Sequence, residues 1–497
     1  MNTLTAYRRH LTEIAKLGSA LSLLSWDQHT HMPKKAVGFR SQTLGKLSKM
    51  RFELSVSDEL GDYIEALEGR DDLSELEQNS VRHVAKEYRR HKAVPADFVE
   101  AFTVARSNAQ TAWAAAREAS SFEDFAPHLE KMVDFARRFA DYFGYEAHPY
   151  DALLEGFEPG MTCAELEEII EPLRDELVPF LTRLMEEGTA PGASPFAGRF
   201  DVPTQRDLAH RALEVIGYDF DAGALDDVAH PFTTTIGPGD VRVTNRYAPD
   251  HLGPGLFAAL HEGGHALYNQ GMGEELYALG VASGASNGIH ESQSRLIENQ
   301  IGRSLPFWSF FQPIAAGYFP QLADVSSEAL YRAANTVAPS LIRVEADEVT
   351  YNFHIMLRFE IEAGLVDGSI AVRDLPALWN DAMRRYLGVQ PPDDAQGVLQ
   401  DVHWAMGAFG YFPSYMLGNL YAAQLHATLH EEMPDIDEKV RSGDFGPLLS
   451  WLREKVHRHG AAYEPKPLIE RICGRTLEAS DFIRYVTEKY SDIYALE

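Results

Sequence analysis

The sequence predicts a mainly α-helical fold, a single large helical domain over residues 1–497 with one small β-hairpin set into it. Three observations carry this reading. Apolar residues recur at spacings of three and four, as in Leu166, Ile169, Ile170, Leu173 and Leu177, so each such segment has one face to bury. Helix-start chemistry agrees: Thr162 followed three residues later by Glu165 is a capping box, which puts a helix start near Cys163. The exception is local, because residues 232–236 and 241–245 are rich in β-branched side chains and flank the turn Gly237-Pro238-Gly239-Asp240.

Met1 to Arg9 are polar and run into an amphipathic pattern without a charged and apolar leader, so secretion is not expected. Apolar runs such as residues 21–26 fall far short of the ~20 residues a membrane span needs. Residues 188–198, rich in Gly, Ala, Pro, Ser and Thr, read as a surface loop within one domain. A net charge of -29 argues against nucleic acid or an anionic membrane as partner. Only Cys163 and Cys473 are present, so no disulfide framework is expected and a reducing cytoplasm fits. The hairpin has two readings, a structural ribbon or an edge that pairs with an extended peptide, and the two are compatible.

The informative string is His261-Glu262-Gly263-Gly264-His265, which follows Gly253-Pro254-Gly255 in what reads as the first turns of a helix. Two imidazoles four residues apart share one helix face and can reach a single ion. Glu262 is then placed to take a proton from the attacking water. A third His six residues beyond the second is excluded, since that position is Gly271. Of the carboxylates downstream, Glu274 and Glu275 lie too near, whereas Glu291 and Glu298 lie on a later helical stretch opened by Ser286-Asn287-Gly288. Of these two, Glu291 is taken as the ligand. Gly263 and Gly264 each cost about 1 kcal/mol against Ala in a helix. That cost implies a close neighbour, either a packed helix or a passing substrate backbone. Neither Cys has a neighbouring His, which removes the obvious thiol nucleophile.

His290-Glu291-Ser292-Gln293-Ser294-Arg295 resembles a signature of the carboxypeptidase Taq family of metallopeptidases. Further strings follow in that family's order: His230-Pro231-Phe232, Asp240-Val241-Arg242-Val243-Thr244, Ile342-Arg343-Val344-Glu345-Ala346-Asp347, and Gly397-Val398-Leu399-Gln400-Asp401-Val402-His403-Trp404. Trp26-Asp27-Gln28 and Tyr411-Phe412-Pro413-Ser414-Tyr415 extend the likeness over nearly the whole chain. The resemblance implies a cytoplasmic, typically homodimeric helical enzyme with a deep central groove that removes single residues of many kinds from peptide C-termini. By match to the motif, His261, His265 and Glu291 would hold Zn2+, for which Co2+ can substitute, and Glu262 would be general base and acid. Residues 1–90 would form a wall or lid over the groove of a catalytic body formed by residues 91–497.

The other positions compete with ordinary roles. His403, Tyr411 and Tyr415 stand where donors could meet an oxyanion, with core packing as the alternative; family likeness favours Tyr415 over Tyr411 as the catalytic one. Gripping a free C-terminal carboxylate calls for a guanidinium, and Arg343 is the candidate, against a structural ion pair with Glu345 or Asp347. Arg242 is the second choice, and His230, in an extended loop before Pro231, is placed near the groove. Two other functions stay open: a helical zinc oligopeptidase or dipeptide-releasing enzyme with the same metal chemistry and, more remotely, a noncatalytic metal-binding or peptide-binding protein.

Overall fold

The computed structural model describes residues 2–496. Among them, twenty-one α-helices, short 3-10 turns and one π-helical segment surround a single three-stranded sheet. The capping box forms as expected: the Glu165 amide donates to Thr162 Oγ1 (3.3 Å), the Thr162 amide donates back to the Glu165 carboxylate (2.9 Å), and the helix Cys163–Glu187 follows. Leu166, Ile170, Leu173 and Leu177 are all fully buried, so the three-and-four spacing marks the face that packs.

The hairpin is present as β2 (Thr233–Gly237) and β3 (Asp240–Asn245), joined by Pro238 and by Gly239, whose φ of +74° suits a glycine. A register shift between Thr235 and Gly237 bends the ribbon. A third strand, β1 (Leu225–Asp227), lies parallel to β3 on its other side, giving the order β1-β3-β2. Three residues are too short for a periodic signal, and parallel pairing is not local in sequence, so this strand had no mark of its own.

The first helix, Thr3–Thr30, rests on this sheet. Trp26 lies 4.2 Å from the Arg242 guanidinium, the His29 ring meets Phe232 edge-on at 5.6 Å, and His31 Nε2 is 3.1 Å from Asp226 Oδ1. The N-terminal helices also have a small core of their own, built from Tyr7, Leu11, Leu60, Ile64, Leu67 and Val81. It joins the body through Ser80, which meets Tyr7 Oη at 3.0 Å and donates to Leu279 O at 2.6 Å. No helix among the described residues is long and apolar enough to cross a membrane.

Three helices position the residues of interest. The motif helix Gly253–Gln270 carries His261 to His265, and Pro254 sits in its first turn. The carboxylate helix Asn287–Arg295 runs on into the π-helical segment Leu296–Ile301. The helix Pro413–Glu432 is buried on nearly all sides and backs the carboxylate helix and its π-helical continuation. Glycines set how closely these elements approach. A Cβ on Gly263 would come within 2.7 Å of Ile216 Cδ1 and Leu213 Cδ2, and one on Gly264 would lie 2.4 Å from Gln293 O and 2.6 Å from Ser294 Cα. Both glycines therefore answer to packed helices, and Gly264 lets the motif helix touch the backbone of the carboxylate helix. Gly418 does the same on the far side, where a Cβ would lie 2.4 Å from Glu291 Cγ.

Candidate active site

Helix spacing brings the two imidazoles of the motif to one side, and the glycine contacts bring Glu291 to meet them. Glu291 Oε2 lies 3.3 Å from His265 Nε2 and 3.7 Å from His261 Nε2, and one donor atom from each of the three residues lies within 4.8 Å of the others. The opposite edge of each ring is held. His261 Nδ1 is 3.0 Å from Glu298 Oε2, and His265 Nδ1 is 3.0 Å from His290 O and 2.6 Å from His290 Nδ1. His290 Nε2 faces Asn269 Oδ1 at 3.0 Å, so His290 carries its proton on Nε2 and offers Nδ1 as acceptor. With Nδ1 engaged on its outer edge, each motif imidazole keeps its Nε2 edge on the Glu291 side, the edge a metal ligand presents.

The carboxylates are held as anions. Burial opposes the charge on Glu291, but Arg295, whose Nε donates to Oε1 at 2.7 Å, and the two imidazoles outweigh it and keep the group well below the usual carboxylate range. Glu298 is likewise kept ionised against burial by Arg303, His261 and Arg295. Two imidazoles that turn Nε2 to one point and one ionised carboxylate form a donor set suited to a divalent transition metal, so the residues present fit such an ion. Glu262 is also buried, and the single hydroxyl proton of Thr233 is shared between its carboxylate Oε2 and its backbone O, each at 2.8 Å, which keeps Glu262 beside β2.

His403 Nε2 lies 3.4 Å from Tyr415 Oη, and the Tyr411 and Tyr415 rings meet at 5.2 Å. Burial lowers the His403 imidazole to about 4; the Asp401 charge resists this, while Arg343 and Arg358 add to it. Burial raises both phenols, and both feel the charge of Glu291, which puts the tyrosine pair close to the donor cluster.

The structure separates the remaining expectations. Arg343 does not pair with Glu345 or Asp347: its Nη2 donates to Asp401 Oδ1 (2.9 Å) and its Nη1 to Tyr351 Oη (2.8 Å). Arg358 shares the same carboxylate at 2.6 Å. Arg343 is therefore committed within the protein and does not present a free fork. Arg242 is bound bidentately to Asp240 at 2.8 Å and covered by Trp26. His230 is exposed in the loop between β1 and β2, outside the donor cluster. Sequence reasoning had no signal for Thr233 or His290 as partners of Glu262 and His265, since both meet their targets only through tertiary packing.

A model of the family described as Carboxypeptidase Taq (M32) metallopeptidase matches residues 6–490. The chain belongs to that family. It is 42% identical over 488 residues to Carboxypeptidase 1 of Bacillus subtilis, covering 98% of this chain and 97% of that one. It is 40% identical to Thermostable carboxypeptidase 1 of Thermus thermophilus, covering 99% and 98%. The crystal structure of an M32 carboxypeptidase from Deinococcus radiodurans superposes with a TM-score of 0.97 at 36% identity over all of both chains. As an M32 metallocarboxypeptidase the protein is a peptide hydrolase that works with a metal. Within the M32 fold a second group, His148, Asp151 and Cys163, also gathers donor atoms within 4.8 Å. It is spent on structure: His148 Nδ1 accepts from the Tyr150 amide, and Asp151 accepts from the amides of Cys163 and His148.

Proposed function

We propose that this M32 enzyme is a zinc-dependent carboxypeptidase that releases single amino acids, of many kinds, from peptide C-termini. The observation that carries the reading is the convergence of His261 Nε2, His265 Nε2 and Glu291 Oε2 beside the anchored carboxylate of Glu262. His261, His265 and Glu291 would hold Zn2+, with Co2+ as a substitute. A divalent metal bound there supplies Lewis acidity to the scissile carbonyl and acidifies the attacking water.

Glu262, oriented by Thr233, takes the proton from the water and returns it to the departing amine. Tyr415, with His403 behind it, supplies donors to the oxygen of the tetrahedral intermediate, and Tyr411 lines the substrate side. Arg343 and Arg358 set two guanidinium charges against the single carboxylate of Asp401, leaving one net positive charge behind the tyrosines. That charge, more than a free guanidinium fork, attracts the C-terminal carboxylate of the peptide. Arg242 and His230 border the sheet at the more distant substrate positions. The free thiols of Cys163 and Cys473 suit a cytoplasmic protein, a homodimer is the expected assembly, and residues 1–90, with their own small core, act as a lid.

The test is mass-spectrometric product analysis on a free peptide and its C-terminally amidated twin, with zinc-loaded wild type and Glu262→Gln. Stepwise loss of single C-terminal residues, stopped by amidation and by Glu262→Gln, is expected. Internal cleavage of both peptides would replace the reading with an endopeptidase, and no cleavage of either would leave a metal-binding or peptide-binding protein.

A further inference from the structure

We propose that Glu158 is a positioning residue for Glu291, acting through the start of the carboxylate helix. The inference rests on Glu291 being a metal ligand, as proposed above. Glu158 belongs to none of the strings singled out in the sequence, yet it is 1% exposed and meets the first turn of the helix that carries Glu291.

An α-helix begins with amides that have no partner within the helix. In Asn287–Arg295 each finds one. The Asn287 amide donates to Phe157 O (3.0 Å), the Gly288 amide to Glu158 Oε2 (3.1 Å), and the Ile289 amide to Ser286 Oγ (2.9 Å). Two of these three acceptors come from a loop 130 residues earlier in the chain. The other oxygen of Glu158 accepts from Tyr421 Oη at 2.7 Å. Tyr421 lies on the helix Pro413–Glu432, one turn beyond Gly418, the residue against which the Glu291 side chain packs. One carboxylate therefore fixes the start of the helix that bears Glu291 to the helix that backs Glu291. The fit is close, since a Cβ on Gly288 would lie 2.6 Å from Glu158 Oε2.

The donors around Glu158 are all neutral, and Lys466 acts on it only from a distance. A buried carboxylate without a cation is a costly choice where an alcohol could meet one donor. What the carboxylate adds is two acceptor atoms on one rigid fork, reaching two helices at once. Glu362 provides a natural comparison. It is also buried and takes donors from Trp404 Nε1, Tyr150 Oη and the Gly410 amide, but it anchors the segment carrying His403 and Tyr411, not the metal donors.

Zn2+ affinity of the full-length protein, measured by competition with a chromogenic chelator, tests the proposal. Glu158→Ala should bind zinc about tenfold more weakly with its helical circular dichroism intact, while Glu158→Gln recovers most of the affinity. Glu362→Gln should keep wild-type zinc affinity and lose kcat. A folded Glu158→Ala with wild-type zinc affinity overturns the proposal. If Glu158→Ala does not fold, Tyr421→Phe replaces it, with a loss of about threefold expected and wild-type affinity refuting. Glu291→Ala is the control for the underlying reading: unchanged zinc affinity there would remove Glu291 as a ligand, a failure distinct from that of Glu158.

Discussion

Replacing Gly264 by alanine should damage the metal site more than it damages the fold. The added Cβ would stand 2.4 Å from Gln293 O and 2.6 Å from Ser294 Cα, both backbone atoms of the helix that carries Glu291. Opening the first contact only to 3.0 Å requires a shift of about 0.6 Å, the difference of the two distances. Metal ligands tolerate about 0.2 Å, so a shift of that size separates Glu291 Oε2 from the imidazoles by several times the allowance. Overpacking costs about 1–3 kcal/mol, but alanine returns about 1 kcal/mol of helix propensity, so the net loss of stability is small. Gly263→Ala is the matched control, because its new methyl would meet only the ends of the Ile216 and Leu213 side chains, which can rotate away. Zinc competition and thermal denaturation on both variants should show Gly264→Ala at least tenfold weaker in zinc, and Gly263→Ala near wild type. Equal zinc affinity in the two variants would refute the argument that backbone contact at Gly264 sets the position of Glu291.

Glu262→Gln should lower kcat by about 10²–10⁴ while leaving zinc affinity unchanged, measured on one preparation by peptide turnover and chelator competition. Glu298→Gln, which loses the anion behind His261 Nδ1, should weaken zinc about 10–100-fold in the same titration. Burial holds His403 near 4 and both His426 and His457 near 3, so all three are neutral in the fold. Below about 6.5 the unfolded chain binds protons that the native state refuses, so each lowers stability by about 1.4 kcal/mol per pH unit as pH falls toward its folded value. Burial raises Glu158 from 4.5 to about 7, which reverses the sign: its contribution is present below 4.5 and is lost as pH rises through 7. Denaturant titrations should therefore show Glu158→Gln gaining on wild type between pH 4.5 and 7; a pH-independent difference would contradict the burial argument.

Much of the fold was legible because helical periodicity and capping are local. The start at Cys163 and the hairpin were read from neighbouring residues, and the structure keeps both. What escaped was nonlocal. The excess cost of Gly263 and Gly264 was visible in the sequence, but its cause lies in Leu213, Ile216 and Gln293 on other helices. Arg343 had acidic neighbours in its own string, yet its partner is Asp401, 58 residues away. His290 sits beside Glu291 in a recognisable motif, and only the packing of two helices reveals that it faces His265.

The π-helical segment Leu296–Ile301 acts as a phase shift along one continuous helical rod. In an unbroken α-helix, residues seven apart return to nearly the same azimuth, so Glu291 and Glu298 would crowd the same edge of whatever they face. With the wider turn interposed, Glu298 reaches Nδ1 of His261 while Glu291 stands on the Nε2 side of the same ring. The two carboxylates thus hold opposite edges of a single imidazole because of how many residues the rod takes to turn, not because of which residues it contains. Deleting Leu296 or Ile297, however bland the side chain, would change the phase between the two carboxylates and swing Glu298 out of step with His261. Chain length here is as much a part of the site as chemistry, and a comparison of residue types alone would not detect its loss.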